Sequence, residues 1–372
     1  MAWPVLLMVR ELDLGGSERQ MVEVAKALDR SRFDPRVGCL RREGMRVAEV
    51  EAAGIPIVHF PVPSFASPGM LSGTWRLARY MHANRIRLIH TFDYPSAMFA
   101  VGAARLLSDA AVVSSQRSHR DLIPRRYLRW VRLSDRWAEA IVVNCDFVRR
   151  HLESDERVPA EKIRLCYNGV DVDVFHPGSS PRPPGVASGA LIIGVVCALR
   201  PEKGLPTLLR AFASVCRSER RLQLVVVGDG SEREALQAEA NALGISGQCV
   251  ISPATSQVGD WLRAIDIFVL PSLSEALSNS LMEAMACGCC VIASNVGGNP
   301  ELVEHGKTGL LFEAGDVPGL SAALQTLVED EPMRKRLSAA GTQLMRDRFS
   351  IGASVTRLGE IYTDLIERLR SA

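Results

Sequence analysis

The chain reads as two doubly wound α/β domains, each a parallel sheet with helices on both faces. Three observations predict this. Short β-branched, apolar runs alternate with helix-length amphipathic segments throughout the sequence. The alternation breaks once, at "HPGSSPRPPGVASG" (176–189), whose proline, glycine and serine content reads as an interdomain linker. The 372 residues are too many for one ordinary domain and suit two units of roughly 150 to 200 residues.

In order, "VLLMV" (5–9) reads as a buried strand and "SERQMVEVAKAL" (17–28) as the helix after it. "IRLIH" (86–90) precedes the helical "PSAMFAVGAARL" (95–106), and "AIVVN" (140–144) precedes "DFVRRHLES" (146–154). "KIRLCYN" (162–168) closes the first half. After the break the pattern restarts with "LIIGVVCA" (191–198) and "LPTLLRAFASV" (205–215), then "LQLVVVG" (222–228) and "SEREALQAEANAL" (231–243). "IDIFVLPS" (265–272), apolar and β-branched, leads into a helix that holds Glu283.

Composition narrows the function. Apolar residues make up 47% of the chain, enough for real cores, and a formal net charge of +2 argues against a dedicated nucleic-acid binder. Nine scattered cysteines show no disulfide framework. "CGCC" (287–290) has no second ligand pair and runs straight into the apolar "VIAS", so small buried thiols in a reducing compartment are expected. The apolar run before Arg10 is too short for a signal h-region, and no stretch is long enough to span a bilayer; a cytoplasmic protein is expected.

In open parallel sheets, ligands bind beyond the carboxyl ends of the strands, so the strand-to-helix turns carry the candidates. In "ELDLGGSERQ", Gly15 and Gly16 serve either a tight turn or a close backbone approach to a ligand. "VVGDGSERE" has Gly228 and Gly230 but lacks the third glycine of a dinucleotide fingerprint. In "ALRPEKGLPTLL", Arg200 and Lys203 precede a helix whose dipole opposes cations there; they are either solvated surface charges or partners of an anion. "SEALSNSLMEAM" (274–285) sets Glu275 just before a helix start, where amides near Leu277, Ser278 and Asn279 suit a phosphate and a carboxylate suits hydroxyls. Ser280 with Glu283 fits a capping box. Together the turns describe a sugar nucleotide. Asp171 and Asp173 in "NGVDVDVF" have Asp-x-Asp spacing, but they follow an Asn-Gly turn at a domain exit, so no metal is assigned and the diphosphate is left to Arg and Lys.

These residues resemble a known family over the whole chain, the retaining glycosyltransferases of family 4. "SEALSNSLMEAMACG" looks like their Glu-x7-Glu motif, and "LGGSERQ", "YNGVDVDVF", "RPEKG" and "SNVGGNPELVEHGKTGLLF" (294–312) appear in the family's order. The resemblance implies the GT-B architecture, two Rossmann-like domains facing a cleft. It places an acceptor-side domain at 1–178 with a crossover helix at 351–372, and a nucleotide-sugar domain at 189–350. It implies that Glu283 holds donor ribose hydroxyls, that Glu275 contacts the transferred sugar, and that Lys203 binds the diphosphate. Leu277, Ser278 and Asn279 would bind sugar or phosphate through their amides, and Gly15 and Gly16 would approach the donor. The sequence departs from the family at Ala198, where a second cation is usual and Arg200 lies two residues later. It departs also at Phe92, where a second histidine often follows one at the position of His90, and at Ala276, commonly glycine.

The expected function is transfer of a sugar from a nucleoside diphosphate, UDP or GDP, to a glycan or lipid-linked acceptor hydroxyl in polysaccharide or glycolipid synthesis, with no cofactor. Catalysis would rest on Glu275, Lys203 and Arg200. A sugar-nucleotide epimerase and a catalytically weakened sugar-nucleotide-binding protein are the alternatives. The segment "RSHRDLIPRRYLRWVRLSDRW" (117–137) has seven arginines against two aspartates, and on a helix Arg125, Arg129, Arg132 and Arg136 share a face. Peripheral association with an anionic inner leaflet is expected from it.

Overall fold

The computed structural model describes residues 2–13, 15–62, 69–216 and 221–371. The chain divides into two compact units, Met1–Gly169 with Ile351–Ala372, and Val170–Ser350. In the first, seven strands form one parallel sheet: β1 Trp3–Val9, β2 Phe33–Cys39, β3 Ile57–His59, β4 Leu88–Thr91, β5 Ala111–Gln116, β6 Ala140–Val143 and β7 Ile163–Leu165. Their order is β3-β2-β1-β4-β5-β6-β7. β2, β3 and β5 go beyond the strands read from sequence; β2 carries Pro35 as its third residue, which hides it from a pattern search.

The alternation along β1 explains its burial. Val5, Leu7 and Val9 join one core cluster and Leu6 and Met8 another. Side chains on a strand alternate between faces, so a run apolar at every position fills both faces of a covered parallel sheet. The first cluster is closed by the helix Ile351–Ser371, which contributes Leu358, Ile361, Tyr362, Leu365 and Ile366. Tyr362 meets Phe33 edge-on at 5.8 Å. Each such side chain contributes about 1.5 to 3 kcal/mol by leaving water, so this late segment is integral to the first unit.

The second unit has six parallel strands: β8 Leu191–Val196, β9 Leu222–Val227, β10 Cys249–Ser252, β11 Ile267–Leu270, β12 Cys290–Ser294 and β13 Leu310–Phe312, in the order β10-β9-β8-β11-β12-β13. The 176–189 segment lies within this unit and is tied to it. Arg263 Nε donates to Ser180 Oγ at 2.5 Å, and Gln223 accepts from the Ala187 amide and donates to the Gly185 carbonyl at 2.8 and 2.7 Å. All nine cysteines are free thiols. Burial pushes Cys287 and Cys290 up to about 12, which makes them inert packing groups. Among the described residues no helix is long and apolar enough to cross a membrane.

Candidate active site

In both sheets the strand order reverses around one strand, β1 in the first unit and β8 in the second. Turns on either side of such a point diverge and leave a crevice beyond the carboxyl ends. The second unit's candidates gather there. Lys203 follows β8, Glu275 follows β11, and the lysine ammonium donates to Glu275 Oε1. The same oxygen accepts from Ser272 Oγ at 2.8 Å. The two side chains are 18% and 10% exposed, so the pair sits in a partly dry place. Burial, the largest influence, pulls the Lys203 ammonium down, but attraction and hydrogen bonding to Glu275 outweigh it and the net shift is upward.

Backbone contacts hold these turns together. The Leu273 amide donates to the Glu202 carbonyl at 2.8 Å, and the Gly298 amide to the Ala276 carbonyl at 2.7 Å. Two glycines allow the close approach. Gly204, at φ 60°, would set a Cβ 2.3 Å from the Pro271 carbonyl oxygen; Gly297, at φ 58°, would set one 2.0 Å from the Glu275 carbonyl oxygen. Only glycine fits both the left-handed backbone and the contact. "RPEKG", "SEALSN" and "SNVGGN" therefore form one rigid set of loops. Ser294 Oγ donates to the Ser272 carbonyl at 2.6 Å and Asn299 Nδ2 to the Ser294 carbonyl at 3.0 Å, fixing the third loop from below.

The helix carrying the second glutamate is Asn279–Cys287. Its N-cap is Ser278, whose Oγ accepts from the Leu281 amide at 3.3 Å. The expected Ser280–Glu283 capping box is therefore not formed: the helix starts earlier, which puts Ser280 and Glu283 inside it. Glu283 is 3% exposed, one turn beyond the helix start. Leu277 and Ser278 are buried beside the Glu275 loop, and Asn279 opens the helix. Arg200 is not brought to the pair. Its side chain is 66% exposed, 3.9 Å from Glu202, and Ala198 is exposed before it. Asp171 Oδ1 accepts the Asp173 and Val174 amides at 3.0 and 3.2 Å, a turn closed on itself.

In the first unit, Gly15 caps the helix Gly16–Ala27, and a Cβ on it would overlap the Glu18 carboxylate. Burial pushes Glu18 up to about 7, with nearby Asp93 and Glu11 adding to it. Asp93 accepts the Arg10 amide at 2.7 Å and the Ser96 amide at 2.8 Å, which ties the turn after β4 to that after β1. His90 is fully buried between Tyr362 OH (2.6 Å from Nδ1) and Ser115 Oγ (2.7 Å from Nε2). Burial and the neighbouring Arg117 hold it well below its usual value, so it is neutral. Glu18, Asp93, Arg117 and Ser272 escaped the sequence reading. The signal available was position: Asp93, Arg117 and Ser272 lie just beyond strand ends, and Glu18 lies in the first turn of the helix that follows β1.

The family model for glycosyl transferases group 1 matches residues 180–344, and that for Glycosyltransferase Family 4 matches residues 14–174. A D-inositol 3-phosphate glycosyltransferase of Thermobispora bispora is 32% identical over 246 residues, covering 62% of this chain and 57% of the relative. An N-acetyl-alpha-D-glucosaminyl L-malate synthase of Bacillus anthracis is 28% identical over 211 residues, covering 56% and 55%. The chain thus spans little more than half the length of these curated relatives. Among solved structures, Anabaena Alr3699/HepE in complex with UDP-glucose superposes with a TM-score of 0.85 at 21% identity, covering 97% of this chain and 99% of that one. A sucrose-phosphate synthase of Thermosynechococcus elongatus superposes at 0.82 and 18% identity, covering 98% and 100%.

Proposed function

The chain belongs to glycosyltransferase family 4 and has its GT-B fold, and from that premise we propose that it transfers a glycosyl unit from a nucleoside diphosphate sugar to an acceptor hydroxyl with retention at the anomeric carbon. The Lys203–Glu275 pair carries the reading. A cation and a carboxylate from turns flanking β8 and β11 offer one group for a diphosphate and one for sugar hydroxyls. Loops joined through Gly204 and Gly297 need little reorganisation, which is the condition for electrostatic stabilisation of a transition state.

In this reading Lys203 and backbone amides meet the charge that grows on the departing diphosphate, without a divalent ion. Glu283 holds the ribose, and Leu277, Ser278 and Asn279 present amides to sugar or phosphate. Glu275 lies against the sugar, while Gly15 and Gly16 approach the donor from the first unit, which takes the acceptor. Arg200 is a reserve cation, able to act only by swinging inward. UDP or GDP is the proposed carrier, supported by the UDP and UDP-glucose complexes of HepE.

Peripheral association with an anionic membrane belongs to the same proposal. On the helix Arg125–Trp137, Arg125, Arg126, Arg129 and Arg136 are exposed together with Trp130, which is 48% exposed. Arg132, on the same helix, is paired with Glu156. Exposed arginines beside an indole suit the headgroup region.

The test is a thermal-shift panel of UDP, GDP, UDP-glucose and GDP-mannose, followed by product analysis in the presence of EDTA. One nucleotide should stabilise the wild type by mass action, and Glu283→Gln should reduce that shift. If no nucleotide stabilises the protein, or if Lys203→Ala and Glu283→Gln respond like the wild type, the reading fails.

A further inference from the structure

Arg117 follows β5 at the carboxyl end of the first unit's sheet. Its guanidinium lies over the Phe92 ring, 4.7 Å from the centroid, and Phe92 stacks on His90 at 4.2 Å and 34°. Nη1 donates to Asn168 Oδ1 at 2.6 Å. The opposite edge of the fork is unused: Nε is shielded from solvent and makes no hydrogen bond, and Nη2 makes none among the described residues. Among the described residues no carboxylate compensates the charge. The groups whose charge would favour it are the Cys166 thiol and the Tyr362 phenol, and burial keeps both neutral. Burial draws the guanidinium down to about 10, which leaves it protonated at neutral pH.

A half-buried cation whose Nε is shielded and which has no counter-charge among the described residues is costly to keep. If Arg117 merely filled space over Phe92, an apolar side chain would do as well. What an arginine adds is its Nε–Nη2 edge, the planar fork that matches a carboxylate or a phosphate bidentately. We infer that Arg117 is the recognition point for an anionic group, a carboxylate or a phosphate, carried by the acceptor. This rests on the reading that the first unit takes the acceptor, and it restricts the acceptor to an anionic class. His90 holds the stack from beneath: with both ring nitrogens engaged it fixes Phe92, and Phe92 fixes the plane of the guanidinium. Because Nε has no exposed surface, uptake of the anion moves the side chains that cover it.

The experiment uses the full chain at pH 7.5, constant ionic strength and saturating UDP, so that the diphosphate site is already occupied. Inorganic phosphate, L-malate, and glycerol as a neutral control are titrated against chloride, with thermal stability as readout. Either phosphate or L-malate should raise Tm beyond chloride and glycerol, and which one does so identifies the source of the charge. Arg117→Met should weaken the apparent affinity roughly tenfold or more, and Arg117→Lys, with a point charge in place of a fork, should fall between. The UDP-induced shift should be the same in all three proteins; its absence from the wild type defeats the donor reading, not this one. The proposal is overturned if neither anion exceeds chloride in the wild type, or if Arg117→Met keeps the wild-type response. Should Arg117→Met not fold, a wild-type affinity in Arg117→Lys overturns it equally.

Discussion

Lys203 donates to the same oxygen of Glu275 that Ser272 holds from the other side, so the candidate diphosphate cation and sugar carboxylate neutralise each other. In the proposed reading, a donor entering here exchanges partners: its phosphate takes the ammonium and its hydroxyls take the carboxylate. Little net charge has to be desolvated when that happens.

Removing one partner should show the other's dependence. Glu275→Ala strands the Lys203 ammonium, 18% exposed, and should cost roughly 1 to 3 kcal/mol, less than the ~3 to 5 kcal/mol of a fully buried pair because water still reaches it. Glu275→Gln keeps an acceptor and should cost less. Urea denaturation measures both; equal stabilities would mean that the pair contributes nothing to folding.

Turnover should separate the two cations. Lys203→Ala is expected to lose about 2 to 4 kcal/mol in kcat/KM, comparable to deleting an oxyanion donor. Arg200, exposed and beside Glu202, should cost under about 1 kcal/mol, the range of a surface charge. Steady-state kinetics on both variants decide it. A loss at Arg200 as large as at Lys203 would show that the guanidinium swings in.

Gly297→Ala forces a Cβ onto the Glu275 carbonyl in a left-handed backbone. The conformation alone costs about 1 to 2 kcal/mol, and relief of the contact must move the Glu275 loop. The expected result is a lowered Tm together with weaker UDP binding. A variant that lost stability while binding UDP normally would show that the loop tolerates the shift.

Acid stability should depend on Glu156. Its hydrogen bond from Arg132, opposed by burial and aided by Arg120, lowers it from 4.5 to about 2. A depressed carboxylate contributes stability that is present above the unfolded value and lost as pH falls through the folded one. The Tm gap between wild type and Glu156→Gln should therefore be widest above about pH 4.5 and close toward pH 2. A gap independent of pH would assign the effect to packing.

Vesicle co-sedimentation tests the helix Arg125–Trp137. Binding to anionic phosphatidylserine vesicles should exceed binding to neutral ones, weaken with salt, and fall in the combined Arg125, Arg129 and Arg136 to Gln variant. No preference for anionic lipid would remove the membrane from the proposal.

The strands that carry the site were legible because β1, β4, β8 and β11 are apolar runs ended by turn residues, and local pattern suffices for that. Glu275 and Lys203 were legible as candidates, but their pairing was not. It spans 72 residues and depends on β8 lying beside β11, which no local signal encodes. The same holds for Arg117, whose meaning lies in a missing counter-charge, and for Tyr362, which reaches His90 from 272 residues away. Residues 176–189 mislead for a different reason. Proline and glycine report backbone shape, whereas the hydrogen bonds from Arg263 and Gln223 that hold the segment come from elsewhere.

The helix Ile351–Ser371 has a bearing on how the protein is born. Its Tyr362, Leu358 and Ile361 are core residues of a unit whose other strands lie before Gly169, yet they leave the ribosome only after the whole of Val170–Ser350. The first unit must wait, with one face of its sheet covered only in part, by the helix Gly16–Ala27, while the second is translated and folds. Truncation before residue 351 would therefore spare the unit that holds Lys203 and Glu275 and cripple the one synthesised first.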